Sequence, residues 1–145
     1  MFDTRYDALQ LENQLSFPLY AASREVIKVY RPLLEALDLT YTQYVAMLVL
    51  WEHKMLNVKE LGKLLYLDSG TLTPVLKSLE AKGYVHRCRS TEDERVLNVM
   101  ITAAGEALKG KAVSVRKEIM DHMPLKMEEA QELYRLLYKL LGVEK

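Results

Sequence analysis

A single cysteine, Cys88, occurs in the chain, so no internal disulfide is available and the disulfide-stapled secreted scaffolds are excluded. No charge sign dominates: 20 Lys and Arg are balanced by 20 Asp and Glu. A zero net charge removes the general attraction of a basic chain for nucleic acid and leaves local clustering as the only electrostatic route to a polyanion. Long apolar runs are missing as well. The longest, residues 44–51, falls well short of the roughly 20 residues that cross a bilayer. Asp3, Arg5 and Asp7 interrupt the start of the chain, where a secretory signal needs an apolar stretch. These absences lead to the expectation of a cytoplasmic protein with no membrane partner. Motifs of the common enzyme classes are also absent: there is no phosphate-cradling glycine loop, no His-Glu-x-x-His helix and no nucleophile elbow. His53, His86 and His122 are isolated, and nothing at ligand spacing supports a metal site with Cys88, although one assembled in space stays open. The expectation is a non-enzyme with no catalytic residue, no cofactor and no metal.

What is present is a 145-residue chain with half its residues hydrophobic, enough for a substantial core in one domain, 1–145. No repeat, low-complexity tract or linker divides it. The organising stretch is 57–101. Asn57 with Glu60 opens one helix, 58–66, and Asp68 or Ser69 opens the next, 69–82, which Gly83 stops. Leu72, Val75, Leu76 and Leu79 give the second helix an inward stripe. Its opposite face carries Gly70, Thr73, Pro74, Lys77 and Ala81, flanked by Thr71 and Ser78. Two alternating strands, 84–89 and 96–101, flank a polar tip, 90–95. Helix, turn, helix and two-stranded wing in that order form a winged helix-turn-helix, an element that reads DNA. The fold class is therefore mainly α with a small β-wing.

The flanks read as helices. Leu11, Leu15, Leu19, Ala22, Val26, Tyr30, Leu33 and Leu37 recur at helical steps, predicting one helix from about 6–9 to 37, kinked at Pro18 and bent or ended at Pro32. Thr40 and Gln43 form a capping box for a second, deeply buried helix. Thr102 caps a fifth helix, to about 123, and after Pro124 a sixth runs over 126–141 with Ala130, Leu133, Leu137 and Leu140 as its stripe. The stripes of 1–37 and 103–145 are too wide for a small winged-helix core to cover. Water-exposed patches of that size are rare on monomers, so these segments are expected to be dimerisation helices in a two-fold homodimer. A monomeric bundle that covers them internally is the alternative. In the dimer, reading helices about 34 Å apart meet successive major grooves, and the partner is double-stranded DNA with an inverted-repeat operator.

The run Leu65-Tyr66-Leu67-Asp68-Ser69-Gly70-Thr71-Leu72-Thr73-Pro74, followed by Asp93-Glu94-Arg95, resembles the MarR family of bacterial regulators, and within it the organic-hydroperoxide-resistance repressors. Residues 11–15, Tyr20, 30–34 and 39–41 extend the likeness, which spans roughly 10–110. It implies a dimeric repressor that leaves its operator when an organic hydroperoxide oxidises a thiol in the first helix. Here the position of that thiol, directly after Gln14-Leu15, holds Ser16. A hydroxyl is a far poorer nucleophile than a thiolate and forms no sulfenic acid. Three readings stay open: a Cys-to-Ser variant locked in the reduced form, a natural member with another inducer such as a small phenolic or acidic ligand near Tyr20 and Tyr41, or transfer of the redox role to Cys88. In the family Tyr20, Tyr30 and Tyr41 surround the thiol. Tyr30 lies fourteen residues from Ser16, about 21 Å along a straight helix, so it reaches Ser16 only from a second chain crossing near the small residues Ala21, Ala22 and Ser23. Core tyrosines with satisfied hydroxyls are the simpler alternative.

The expected DNA contacts are Ser69, Thr71, Thr73 and Lys77 on the reading helix, with Gly70 and Pro74 permitting close approach. Arg95 is expected to enter a minor groove, held by Asp68 or Asp93, and Arg87 and Arg89 to face phosphates. Glu92, Asp93 and Glu94 oppose this by repelling the DNA backbone. A helical interaction module with a degenerate winged helix is the remaining alternative.

Overall fold

The computed structural model of the chain describes residues 5–145; Asp3, cited above against a leader segment, lies outside them. Among the described residues the regular elements are α1 (Ser16–Glu35), α2 (Tyr41–His53), β1 (Met55–Asn57), α3 (Val58–Leu65), α4 (Ser69–Ala81), β2 (Val85–Arg89), β3 (Leu97–Ile101), α5 (Ala103–Asp121) and α6 (Met127–Leu140). They fall into two compact units, one up to Val115 and one from Arg116 to Lys145.

The first helix begins later than its periodicity implies. Two 3-10 turns, Asp7–Leu9 and Leu11–Asn13, precede α1. Asn13 Nδ2 donates to the Asp7 carbonyl at 2.7 Å, and Gln14 Nε2 donates to the carbonyls of Ala8 (2.6 Å) and Gln10 (2.9 Å). These side-chain amides occupy carbonyls that a continuous helix needs for its own ladder. Leu11 and Leu15, read above as part of the stripe, are therefore off the helix and exposed. Pro18 falls in the first turn of α1, where its missing N–H is one that a helix leaves free in any case. Pro32 does not end the helix, which runs on to Glu35.

Capping sets the other boundaries. Thr40 Oγ1 accepts from Gln43 N at 3.2 Å and Gln43 Oε1 accepts from Thr40 N at 3.0 Å, closing the capping box on α2. Asn57 Oδ1 accepts from Glu60 N and Asp68 Oδ1 from Thr71 N, both at 2.7 Å, starting α3 and α4. Removing such a cap costs about 1 kcal/mol. Gly83, at φ +82°, makes the left-handed turn after α4. Thr102 Oγ1 accepts from Gly105 N at 3.1 Å and donates to the Gly83 carbonyl at 2.6 Å, tying the start of α5 to that turn.

The core gathers Ala46, Met47 and Leu50 of α2, Leu61 of α3, Leu72, Leu76 and Leu79 of α4, and Val85 and Val99 of the sheet, all buried. Leu48 departs from the expected deep burial of α2 and stays exposed. Two glycines are fixed by close approach. A Cβ on Gly62 would stand 2.7 Å from the Leu67 carbonyl oxygen, and one on Gly105 would stand 2.3 Å from that of Tyr84.

The wing is a three-stranded antiparallel sheet of order β1-β3-β2 rather than a two-stranded hairpin. β1 has only three residues, too short to show alternation in the sequence. Lys54, at φ +67°, turns the chain out of α2 into it. Leu56 lies opposite Val99, and both are buried, so β1 closes one edge of the core-facing surface.

Candidate nucleic-acid interface

Asp68 fixes where α4 begins and hence which side chains it presents. The Thr71 backbone N–H on its carboxylate holds the Asp68 pKa below the usual carboxylate value, so the cap stays charged at neutral pH. That negative charge lies at the positive end of the helix dipole. Ser69, Thr71, Pro74 and Lys77 are exposed along the outward face, and Thr73 is half-buried. Thr73 Oγ1 donates to the Ser69 carbonyl at 2.7 Å, which leaves its oxygen as an acceptor. Pro74 sits inside α4.

At the wing tip Arg95 is held by Asp93, not by Asp68. Asp93 Oδ1 accepts from the Arg95 backbone N–H and from Nε, both at 3.0 Å, and Oδ2 accepts from Nη2 at 3.1 Å. The guanidinium beside it lowers the Asp93 pKa. This local clamp orients Arg95 while leaving its side chain 91% exposed. Asp93 thus neutralises part of the tip's acidity, while Glu92 and Glu94 remain exposed.

Between the tip and α4 lies an open groove of about 960 Å³, whose lining includes Lys59, Lys63, Ser69, Thr73 and Arg95. Lys59 and Lys63 were not singled out from the sequence. They are exposed one turn apart on α3, and the i, i+4 lysine pair on the first helix of the motif was the available signal. They give the groove the local positive charge that the whole chain lacks.

Arg87 does not fit its expected role. Nε and Nη2 donate to Glu80 Oε1 at 3.3 and 3.0 Å, and its backbone N–H donates to Glu80 Oε2 at 2.8 Å. The inward alternation of β2 turns Arg87 toward α4, so its charge is spent on a fork with Glu80 instead of facing phosphates. That backbone N–H, followed by the guanidinium, keeps the Glu80 pKa low. Arg89, two residues on, is exposed.

The tyrosines separate into two places within one chain. Tyr30 and Tyr41 meet edge-on with ring centroids 5.1 Å apart, Tyr44 lies 5.9 Å from Tyr30, and Trp51 continues the cluster at 6.5 Å from Tyr44. Burial raises the Tyr41 pKa. Ser16 and Tyr20 stand at the opposite end of α1, both exposed, with the Arg24 guanidinium 5.4 Å from the Tyr20 ring centroid. Beside Tyr41 is a cavity of about 460 Å³ lined by Ile27, Arg31, Leu34 and Thr42 among others. Cys88 is half-buried on β2. Among the described residues no three His, Cys, Asp or Glu side chains are grouped to hold a metal ion, and no helix is long and apolar enough to cross a membrane.

Residues 28–112 match the family model described as transcriptional regulator SarA/Rot. The organic hydroperoxide resistance transcriptional regulator of Bacillus subtilis is 49% identical over 139 residues, covering 96% of this chain and 95% of its own. The HTH-type transcriptional regulator SarZ of Staphylococcus saprophyticus is 42% identical over 132 residues, 91% of this chain and 90% of its own. Among solved structures, reduced AbfR bound to DNA superposes with a TM-score of 0.80 at 32% identity, covering 96% of this chain and 95% of that one.

Proposed function

Because the chain belongs to the SarA/Rot family of transcriptional regulators, a MarR-like winged-helix family, we propose that it is a homodimeric repressor of the organic-hydroperoxide-responsive type. It binds an inverted-repeat operator, and Ser16 disables its thiol sensing. The observation that carries the reading is the pairing of an exposed, Asp93-oriented Arg95 with the exposed face of α4 across a lysine-lined groove. In this reading α4 enters the major groove with Ser69, Thr71, Thr73 and Lys77 at base edges and phosphates. Pro74 lets the backbone approach, Arg95 enters the flanking minor groove, and Arg89, Lys59 and Lys63 meet phosphates. Arg87 acts indirectly, by fixing β2 against α4 through Glu80.

The second copy is supported by the apolar side chains left in water. Phe17, Leu19, Tyr20, Ile27 and Val29 on α1, and Leu133, Tyr134, Leu136 and Leu140 on α6, are all exposed. Burying such surfaces against a two-fold mate removes a cost that monomers seldom carry. Antiparallel crossing of two α1 helices places Ser16 and Tyr20 of one chain beside the Tyr30 and Tyr41 of the other. The test is Ser16→Cys, assayed for operator binding with and without an organic hydroperoxide. Peroxide-driven release by the variant, but not by the Ser16 protein, supports the reading.

A second reading is favoured by the cavity beside Tyr41. Arg31 supplies a positive charge there and Tyr41 an aromatic wall, which suits release by a small phenolic or acidic ligand. Operator release by such a ligand without oxidant, in a Ser16→Cys variant that stays bound under peroxide, decides for it.

A further inference from the structure

The outer face of the wing sheet carries a row of soft donor atoms that DNA reading does not use. In β3, Met100 lies directly opposite Met55 of β1 on one side and His86 of β2 on the other. Because β3 is the central strand, the three residues form one line across the sheet. Side-chain alternation sends all three to the same face, opposite the one that buries Leu56, Val85 and Val99. Met55 is 51% and Met100 37% exposed, and the His86 side chain is 62% exposed. Two thioethers in register on the surface of a small sheet are poorly placed for packing and well placed for a ligand.

We propose that Met55, Met100 and His86 form a binding site for a soft monovalent d10 cation, cuprous copper, with silver as its surrogate. Strands about 4.8 Å apart put the two outer α-carbons roughly 10 Å apart. Directly opposed β-carbons lie about 5 Å apart, a gap that flexible methionine side chains are long enough to span. Two thioether sulfurs and one imidazole nitrogen are the ligand softness that selects Cu(I) over Zn(II), Mg(II) or Ca(II). His86 Nδ1 lies 3.9 Å from the Glu80 carboxylate, which leaves Nε2 as the nitrogen for the ion. Cys88, two residues beyond His86 and opposite Asn98, stands in the next row of the same face as a bordering thiol, outside the three-ligand set. An ion here bridges all three strands and ties β1 to the hairpin that carries Arg95, so its occupancy stiffens the base of the wing.

The experiment is an anaerobic competition titration of cuprous ion between the full chain and a chromophoric Cu(I) chelator, repeated with silver. Far-UV circular dichroism confirms that each variant is folded. One equivalent should bind. Met55→Leu, Met100→Leu and His86→Gln should each lower the affinity at least tenfold, because each removes one of three ligands from a partly exposed position without emptying the core. Cys88→Ser should keep the bound equivalent. Binding that survives Met55→Leu and Met100→Leu together, or that vanishes in Cys88→Ser alone, would overturn the proposal and assign the ion to the thiol. Absence of competition by the unmodified chain would overturn it outright. None of these readouts involves DNA, so they are independent of the repressor reading.

Discussion

Gln43 of α2 donates from Nε2 to Ser78 Oγ of α4 at 2.9 Å, joining the buried helix to the reading helix by a side-chain bond. The same amide oxygen accepts from Thr40 N at 3.0 Å and from Lys82 Nζ at 3.1 Å. Among the described residues Gln43 is the buried polar one, 6% exposed, and its side-chain amide has a partner on both atoms. Lys82 Nζ also donates to the Asp38 carbonyl, so both ends of the linkage meet the turn between α1 and α2. Gln43→Leu should destabilise the fold by about 2 kcal/mol, since it leaves Ser78 and the Thr40 N–H short of partners in a part-buried site. Urea denaturation at neutral pH measures it, and a change within error would show that water replaces the amide.

Arg95→Ala should weaken operator binding at least tenfold, about 1.4 kcal/mol or more, within the range for one nucleic-acid contact. The melting temperature should not move, because the side chain is 91% exposed. Asp93→Asn should have a smaller effect of the same sign, since it loosens the guanidinium without removing it. Fluorescence anisotropy on a labelled duplex reads both. Equal affinity for Arg95→Ala and the parent would remove the wing from the interface.

The chain was legible where local chemistry sets structure and illegible where distant partners do. Thr40 with Gln43, Asn57, Asp68, Thr102 and Gly83 mark boundaries through bonds within a few residues, and each stands where its residue type implied. The start of α1 was misplaced because Leu11 and Leu15 continue the helical spacing, whereas the amides of Asn13 and Gln14 decide the backbone there. β1 was missed because it pairs with β3, far along the chain. The Arg87–Glu80 fork is not legible in the sequence, because alternation gives a side chain its face but not its partner, and Glu80 stands on another element. Arg95 with Asp93 was readable, being two residues apart, while the lysine-lined groove needed α3 and the wing tip placed together.

Glu80 gives a pH-dependent test. Its pKa is lowered from the usual 4.5, first by the Arg87 backbone N–H and then by the guanidinium. A lowered folded-state pKa gives stability that is fully present above the unfolded value and lost as pH falls through the folded one. The stability difference between the parent and Glu80→Gln should therefore be constant from pH 7 down to about 4.5 and shrink below it. Denaturation of the pair at a series of pH values checks this, and a difference that grows on acidification has the wrong sign for the Glu80–Arg87 fork.

Gly62→Ala and Gly105→Ala should each cost about 1–3 kcal/mol, the usual range for overpacking. In both cases the added carbon meets a backbone oxygen, at 2.7 and 2.3 Å, which moves less readily than a side chain. Gly110→Ala, where nothing lies within 4 Å, should stabilise α5 slightly through helix propensity. Thermal melts of the three variants separate close approach from a general intolerance of substitution in these helices.

Two copies reading one face of a duplex is the claim on which the account rests, and the salt dependence of operator binding tests it most directly. With an inverted-repeat duplex selected from a random pool, about three phosphates neutralised per chain give a log–log slope near −5 for the dimer, from about −0.9 per contact. The account predicts that slope, with one dimer per duplex. A flat response, or saturation by a single chain per duplex, would contradict it.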